Sequence, residues 1–194
     1  DALRSDPALR ELDLDNRGLT GRDVTRLATQ LRAHKALAQL DLTRNSVGDP
    51  GAEALAEALA KNSVLRVLCL RDCEIGEKGA ARLADALKVN KSLTELVLSH
   101  NELGQAGAEA LAAALQENGS LRDLDLTRVG LAGSGAERLA AALAASGGLV
   151  SLSLRDNLLG EEVASHLATA LEKNSSLREL DLTRCGVGAA GAGR

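Results

Sequence analysis

Aromatic residues are missing from this chain: none of its 194 residues is Phe, Trp or Tyr, and Met is absent too. A core without large side chains has to be assembled from Leu, Ala and Val. That suits closely spaced, uniform layers better than an irregular globular interior. The same absence removes the stacking platforms on which single-stranded nucleic acid is held. A surplus of positive charge is missing as well. The formal net charge is -4, which gives no overall attraction for nucleic acid or acidic membranes. No apolar run approaches the ~20 residues needed to cross a bilayer. Nucleic acid and membrane are therefore excluded as expected partners. Cysteine is scarce: Cys69, Cys73 and Cys185 are an odd count that makes no disulfide framework. Reduced thiols fit an intracellular, cytoplasmic protein.

What the chain does contain is repetition. The pattern L-x-x-L-x-L begins at Leu9, Leu37, Leu65, Leu93, Leu121, Leu149 and Leu177, every step being 28 residues with no insertion. The next apolar position of each copy is Leu19, Val47, Ile75, Leu103, Leu131, Leu159 or Val187. Within a copy the period changes. "LAQLDL" has the alternation of a short strand. "GAEALAEALAKN" places Ala54, Leu55, Ala58 and Leu59 on one helical stripe, with Glu53 and Glu57 off it. An Asn recurs at the helix end as Asn62, Asn90, Asn118 and Asn174, with Asp6, His34 and Ser146 in the same register, which reads as a helix stop.

Each copy thus predicts strand, turn, helix, turn, an α/β solenoid. Parallel strands stack about 4.8 Å apart and helices about 8–10 Å, so the array bends, strands on the concave face and helices on the convex one. One domain is expected over residues 1–194. "DALRSDPAL" aligns with "EALAKNSVL" at 57–65, and Gly193-Arg194 falls where a helix should begin, so both ends are expected to lie within repeats.

The L-x-x-L-x-L-x-x-N-x-L pattern of Leu37–Val47 and Leu93–Leu103 resembles the leucine-rich repeat, specifically the ribonuclease-inhibitor-like subtype. The helical half "GAEALAEALAKNSVL" is similar to the repeats of NOD-like receptors, and the subtype also occurs in Ran GTPase-activating protein. The resemblance spans the whole chain. It implies a curved horseshoe segment and a non-enzymatic module that recognises another protein, or another domain of the same chain. A GTPase-activating protein of the Ran-regulator type and a structural part of a cytoskeletal or ciliary assembly are the alternatives. No residue carries over from the former.

The ninth position of each copy reads Arg17, Asn45, Cys73, Asn101, Val129, Asn157, Cys185. In this repeat type the Asn or Cys points inward and satisfies turn backbone, so Asn45, Cys73, Asn101, Asn157 and Cys185 are expected to form an inner ladder, interrupted at Arg17 and Val129. Cys69 lies between Leu68 and Leu70 and should face the concave side, away from Cys73. A shared metal site is not expected, since zinc needs about four ligands and His34, His100 and His166 fall at three different repeat positions. No nucleophile–base pair emerges, and no cofactor is expected. Three N-x-S sequons start at Asn90, Asn118 and Asn174, generated by the repeat register itself. The G-x-G-x-x-G of Gly186, Gly188 and Gly191 has the wording of a dinucleotide turn. Yet Gly188 and Gly191 share the register of Gly48 and Gly51, Gly76 and Gly79, and Gly104 and Gly107, so it reads as a repeat junction.

The best candidate surface is the strand face. Its fifth position reads Asp13, Asp41, Cys69, Val97, Asp125, Ser153, Asp181, and its seventh Asp15, Thr43, Arg71, Ser99, Thr127, Arg155, Thr183. Val67, Cys69 and Val97 make a small apolar spot edged by Arg71 and His100. An apolar centre with a polar rim is how interfaces are commonly built. The expected partner-binding residues are Val67, Cys69, Arg71, Val97, Ser99, His100, Asp125 and Arg155.

Overall fold

Each coil starts with alternation around a buried leucine: Leu40 and Leu42 point inward while Gln39 is exposed and Asp41 half-buried. In the computed structural model, which describes residues 2–187, this gives three-residue strands. They are β1 (Glu11–Asp13), β2 (Gln39–Asp41), β3 (Val67–Cys69), β4 (Glu95–Val97), β5 (Asp123–Asp125), β6 (Ser151–Ser153) and β7 (Glu179–Asp181). They form one parallel sheet in chain order, and its register repeats the sequence period, Leu12 opposite Leu40, Leu40 opposite Leu68, and onward to Leu180. The helices between them are α1 (Ala2–Ser5), α2 (Gly21–Leu31), α3 (Gly48–Leu59), α4 (Glu77–Val89), α5 (Gly104–Glu117), α6 (Gly133–Leu143) and α7 (Gly160–Leu171). One continuous Leu, Ala and Val core fills the space between sheet and helices. The chain folds as a leucine-rich repeat solenoid.

Helices approach closely because small residues line their contacts. A Cβ built on Gly107 would lie 2.8 Å from the Cβ of Ala80 in the preceding helix, and one on Gly79 would lie 2.9 Å from that of Ala52. The register glycines therefore serve packing at their second position. At the first position, Gly48 and Gly104 are left-handed, with φ of 59° and 58°, a region favouring glycine. Gly188 and Gly191 lie outside the described residues, while Gly186 takes φ 67°.

Coils come in two alternating forms. In one, the ninth residue is Asn45, Asn101 or Asn157. In the other the residue after the ninth, Gly18, Glu74, Gly130 or Gly186, is left-handed at φ 57–72°. The two forms are complementary. That left-handed residue turns the N–H groups on either side of it toward one point. Arg17 and Leu19 donate to Asn45 Oδ1 at 3.1 and 2.9 Å, and Cys73 and Ile75 donate to Asn101 Oδ1 at the same distances. Val129 and Leu131 donate to Asn157 Oδ1, both at 3.1 Å. Each Asn amide also donates to a carbonyl of its own coil and one of the coil before, Asn101 Nδ2 to Leu98 and Leu70. Cys73 and Cys185 donate through Sγ to the oxygens of Leu42 and Leu154. Val129 fills the same place with a buried side chain that donates nothing, and Leu98 O is already served by Asn101. Arg17 is exposed.

A second row of amides runs along the opposite turn, where the sequence suggests only a helix stop. Asn118 Nδ2 donates to Leu87 O and Asn90 O, and its Oδ1 accepts the N–H groups of Ser120 and Leu121 at 2.9 and 2.7 Å. Asn62, Asn90 and Asn174 repeat the arrangement. His34 imitates it, its Nδ1 accepting from Leu37 at 3.0 Å and its Nε2 lying 3.2 Å from Asp6 O. The sequon residues Asn90 and Asn118 are therefore buried and bonded through the nitrogen a glycan would need.

Asn118→Ala leaves buried donors and acceptors of two coils unpaired and should lower stability by about 2–4 kcal/mol, read as a lower urea midpoint. Burial also pushes the Cys73 thiol up to about 12. An unfolded thiol ionises near ~8.5, so the stability held by neutral Cys73 is intact below that pH and lost as pH rises toward 12. Melting temperature should fall more steeply above pH 9 in the wild type than in Cys73→Ala. At pH 8, the Cys73 thiol should react with Ellman's reagent only as fast as the fold opens.

Candidate functional site

The strand face carries two outward columns, and the fold itself uses much of one. Asp41, Asp125 and Asp181 each accept the N–H two residues on, from Thr43, Thr127 and Thr183, all at 2.8 Å. Asp13 does the same for Asp15. These carboxylates close the end of the strand, and the bonds from Thr183 hold the Asp181 carboxyl below its ordinary range. The column breaks in the middle, where Cys69 and Val97 are neighbours across β3 and β4. Neither can cap its turn. Val67, opposite Glu95, completes the spot, and all three apolar side chains are half-buried.

Burial pushes the Cys69 thiol up to about 11, with Asp41, Glu95 and Asp125 adding to the shift. It is a neutral, weakly nucleophilic group at pH 7. Cys73 is turned away into the inner ladder. Among the described residues no group of three or more His, Cys, Asp and Glu is gathered that could hold a metal. His34 is buried, His100 stands at the strand rim and His166 is exposed on α7.

Beyond the strands the chain turns over a left-handed residue in every coil: Asn16, Arg44, Asp72, His100, Arg128, Asp156 and Arg184, at φ 52–58°. The turn corrects one expected binding residue. Ser99, just before it, is 1% exposed and its Oγ has no hydrogen-bond partner. In this column Thr43 and Thr127 are half-buried, whereas the longer Arg71 and Arg155 emerge. A short side chain here sinks between neighbouring coils. Arg71 reaches His100, with 3.4 Å between Nη2 and Nε2. Arg155 lies beside Asp156 at 3.3 Å, and Asp156 is also 3.6 Å from Arg184. Arg44 forms a two-point pair with Asp15, whose carboxyl it holds below the ordinary range chiefly by hydrogen bonding.

The structure thus brings Val67, Cys69, Val97 and Asp125 together on adjacent strands, with Arg71 and His100 at their rim. Arg155 stands at the sixth coil, apart from the apolar spot. A trough of about 990 Å³, which sequence reasoning missed, runs along the rim past Asp72, His100, Arg128 and Asp156. Leu158, 79% exposed, lines its far end. The left-handed column was its only sequence trace, as an unbroken run of polar residues at one repeat position. Among the described residues no helix is long and apolar enough to cross a membrane.

Comparison with known proteins agrees with the coils. The family profile described as leucine-rich repeat matches residues 37–56, 61–84, 89–112 and 173–193. No curated protein sequence matches the chain. Among solved structures, leiomodin-1 actin-binding site 2 is similar at 28% identity and a TM-score of 0.57, over 63% of this chain and 72% of that one. The tropomodulin C-terminal domain of Caenorhabditis elegans superposes at a TM-score of 0.66 and 18% identity, over 78% of this chain and 93% of that one. The second likeness is one of fold. Coil geometry, repeat profile and structural neighbours thus agree on a leucine-rich repeat fold.

Proposed function

We propose that the chain is a non-enzymatic protein-recognition module, that its binding surface is the concave strand face centred on Val67, Cys69 and Val97, and that its partner is actin. The break in the Asp column carries the choice of surface. At Asp41 and Asp125 the fold gains a turn-closing hydrogen bond, worth about 0.5–1.5 kcal/mol. Cys69 and Val97 forgo that bond in adjacent coils and expose apolar surface instead. Half-buried apolar side chains ringed by Arg71, His100 and Asp125 have the make-up of an interface centre and its rim. Actin is nominated by the likeness to leiomodin-1 actin-binding site 2. This favours the cytoskeletal alternative among the roles weighed from sequence.

The finer family assignment is part of the same proposal. The uniform 28-residue repeat and the Asn and Cys ladder support the ribonuclease-inhibitor-like subtype that the NOD-like receptor resemblance suggests. A reduced, cytoplasmic setting suits the free thiols. Asn45, Cys73, Asn101, Asn157 and Cys185 hold the coils together in this scheme and take no part in binding.

Co-sedimentation with filamentous actin, and anisotropy with labelled monomeric actin, test the assignment. The wild type should bind one of the two forms. Val97→Lys places a charge in the centre of the patch and should weaken binding at least about tenfold while leaving the melting curve unchanged. Binding of neither form rejects actin, and binding untouched by Val97→Lys rejects the concave patch.

A further inference from the structure

On the opposite rim, where helices lead back into strands, charge is distributed unevenly. Three consecutive coils pass through this rim at residues 30–38, 58–66 and 86–94. Each contributes two cations and no carboxylate: Arg32 and Lys35, Lys61 and Arg66, Lys88 and Lys91. The corresponding segments 114–122 and 142–150 carry no net charge, and 2–10 and 170–178 carry a single excess positive charge each. An acidic protein, at -4 overall, thus concentrates six cations on one stripe.

Helix dipoles do not account for the stripe. Cations are favourable at helix C-termini, yet α5 ends in Gln116-Glu117 and α6 in Ala142-Leu143, neither with a cation in its last turn. Nor is the stripe neutralised from within. Lys88 pairs with Asp85 at 2.9 Å, Arg66 donates to Ser92 O, and Lys91 donates to backbone oxygens of Lys88 and Glu117. Among the described residues no ion pair involves Arg32, Lys35 or Lys61, and all three are exposed. Val89, between Lys88 and Lys91, is 61% exposed.

We propose that this rim is a second docking surface, which takes a short carboxylate-rich segment of a partner protein. Three coils spaced by about 5–10 Å span roughly four to six residues of extended chain at about 3.3 Å each. Carboxylates spaced along such a segment meet the paired cations of successive coils, and an apolar side chain among them covers Val89. A long nucleic acid fits less well, because it would run off the stripe onto coils that are neutral or carry a single excess positive charge and offer no aromatic side chain. This surface is separate from the concave patch and does not depend on actin being the partner.

Anisotropy of fluorescein-labelled decaglutamate measures it directly. The wild-type chain should bind the peptide at low ionic strength, with affinity falling as salt is added. Lys35→Glu combined with Lys61→Glu should weaken binding at least about tenfold, with an unchanged circular dichroism spectrum. Lys173→Glu, in the register of Lys61 but outside the stripe, should stay within about twofold of wild type. Val97→Lys should also leave this binding unchanged, which separates the rim from the concave face. The proposal is overturned by no wild-type binding, by equal loss in Lys173→Glu, or by tighter binding of oligothymidylate or phosphatidylserine vesicles than of the peptide.

Discussion

The coils of this solenoid bury backbone groups at two turns that they do not satisfy alone, and side-chain amides from the next coil satisfy many of them. Asn45, Asn101 and Asn157 do this at the turn after the strand, and Asn62, Asn90, Asn118 and Asn174 at the turn after the helix. A buried peptide group without a partner costs about 1–3 kcal/mol. Several depend on each Asn, so an isolated coil has no stable form. Stability is therefore a property of adjacent pairs. The 28-residue period cannot drift, because a one-residue slip would carry both rows out of reach.

The lack of aromatics belongs to the same constraint. Sheet strands approach one another more closely than helices can, and the mismatch is smallest when helix contacts are made by Gly and Ala. Gly79 and Gly107 have no room for a Cβ against the helix before. A ring at such a place would force the helices apart and stretch the amide rows with them. The two-coil alternation works at the same scale. A left-handed residue in one coil aims two N–H groups at the Asn of the next. Glu74 adopts that conformation at φ 57° even though it is not Gly, which shows the hydrogen bonds outweighing local preference.

The L-x-x-L-x-L spacing was enough to read the coil, the sheet register and the core, because period-2 and helical patterns report which side chains are buried. The cysteines of the ladder could be placed only through resemblance to a repeat type. Three features escaped. The helix-end Asn was legible as a stop but not as an inter-coil tie, since its partners lie 28 and 31 residues back. The left-handed rim was hidden because Arg44, Arg128 and Arg184 are not turn-forming residues by habit. Ser99 was assigned to the surface by strand alternation, which ends two residues earlier, at Val97. Charge on the helix-to-strand rim was visible in the sequence, but only the coil geometry makes Lys35, Lys61 and Lys91 neighbours.

The rim also shows where such a fold can change its binding without losing stability. A left-handed non-glycine residue costs about 1–2 kcal/mol. Glycine would remove that strain but costs roughly 0.5–1 kcal/mol in added unfolded-state freedom. The conformation is held by the extended strand ladder, Arg44 N–H to Arg71 O at 2.9 Å and Asp72 N–H to Ser99 O at 3.0 Å. It makes no demand on what the side chain is. Exposed pairs such as Arg184 with Asp156 return no more than about 0–1 kcal/mol. The energy differences among Asn, Arg, Asp and His at these places are therefore small. The inward positions of each coil and the Asp column of the strand face are fixed by hydrogen bonding and packing, and the left-handed rim is nearly neutral. Specificity for a partner can be written there one coil at a time.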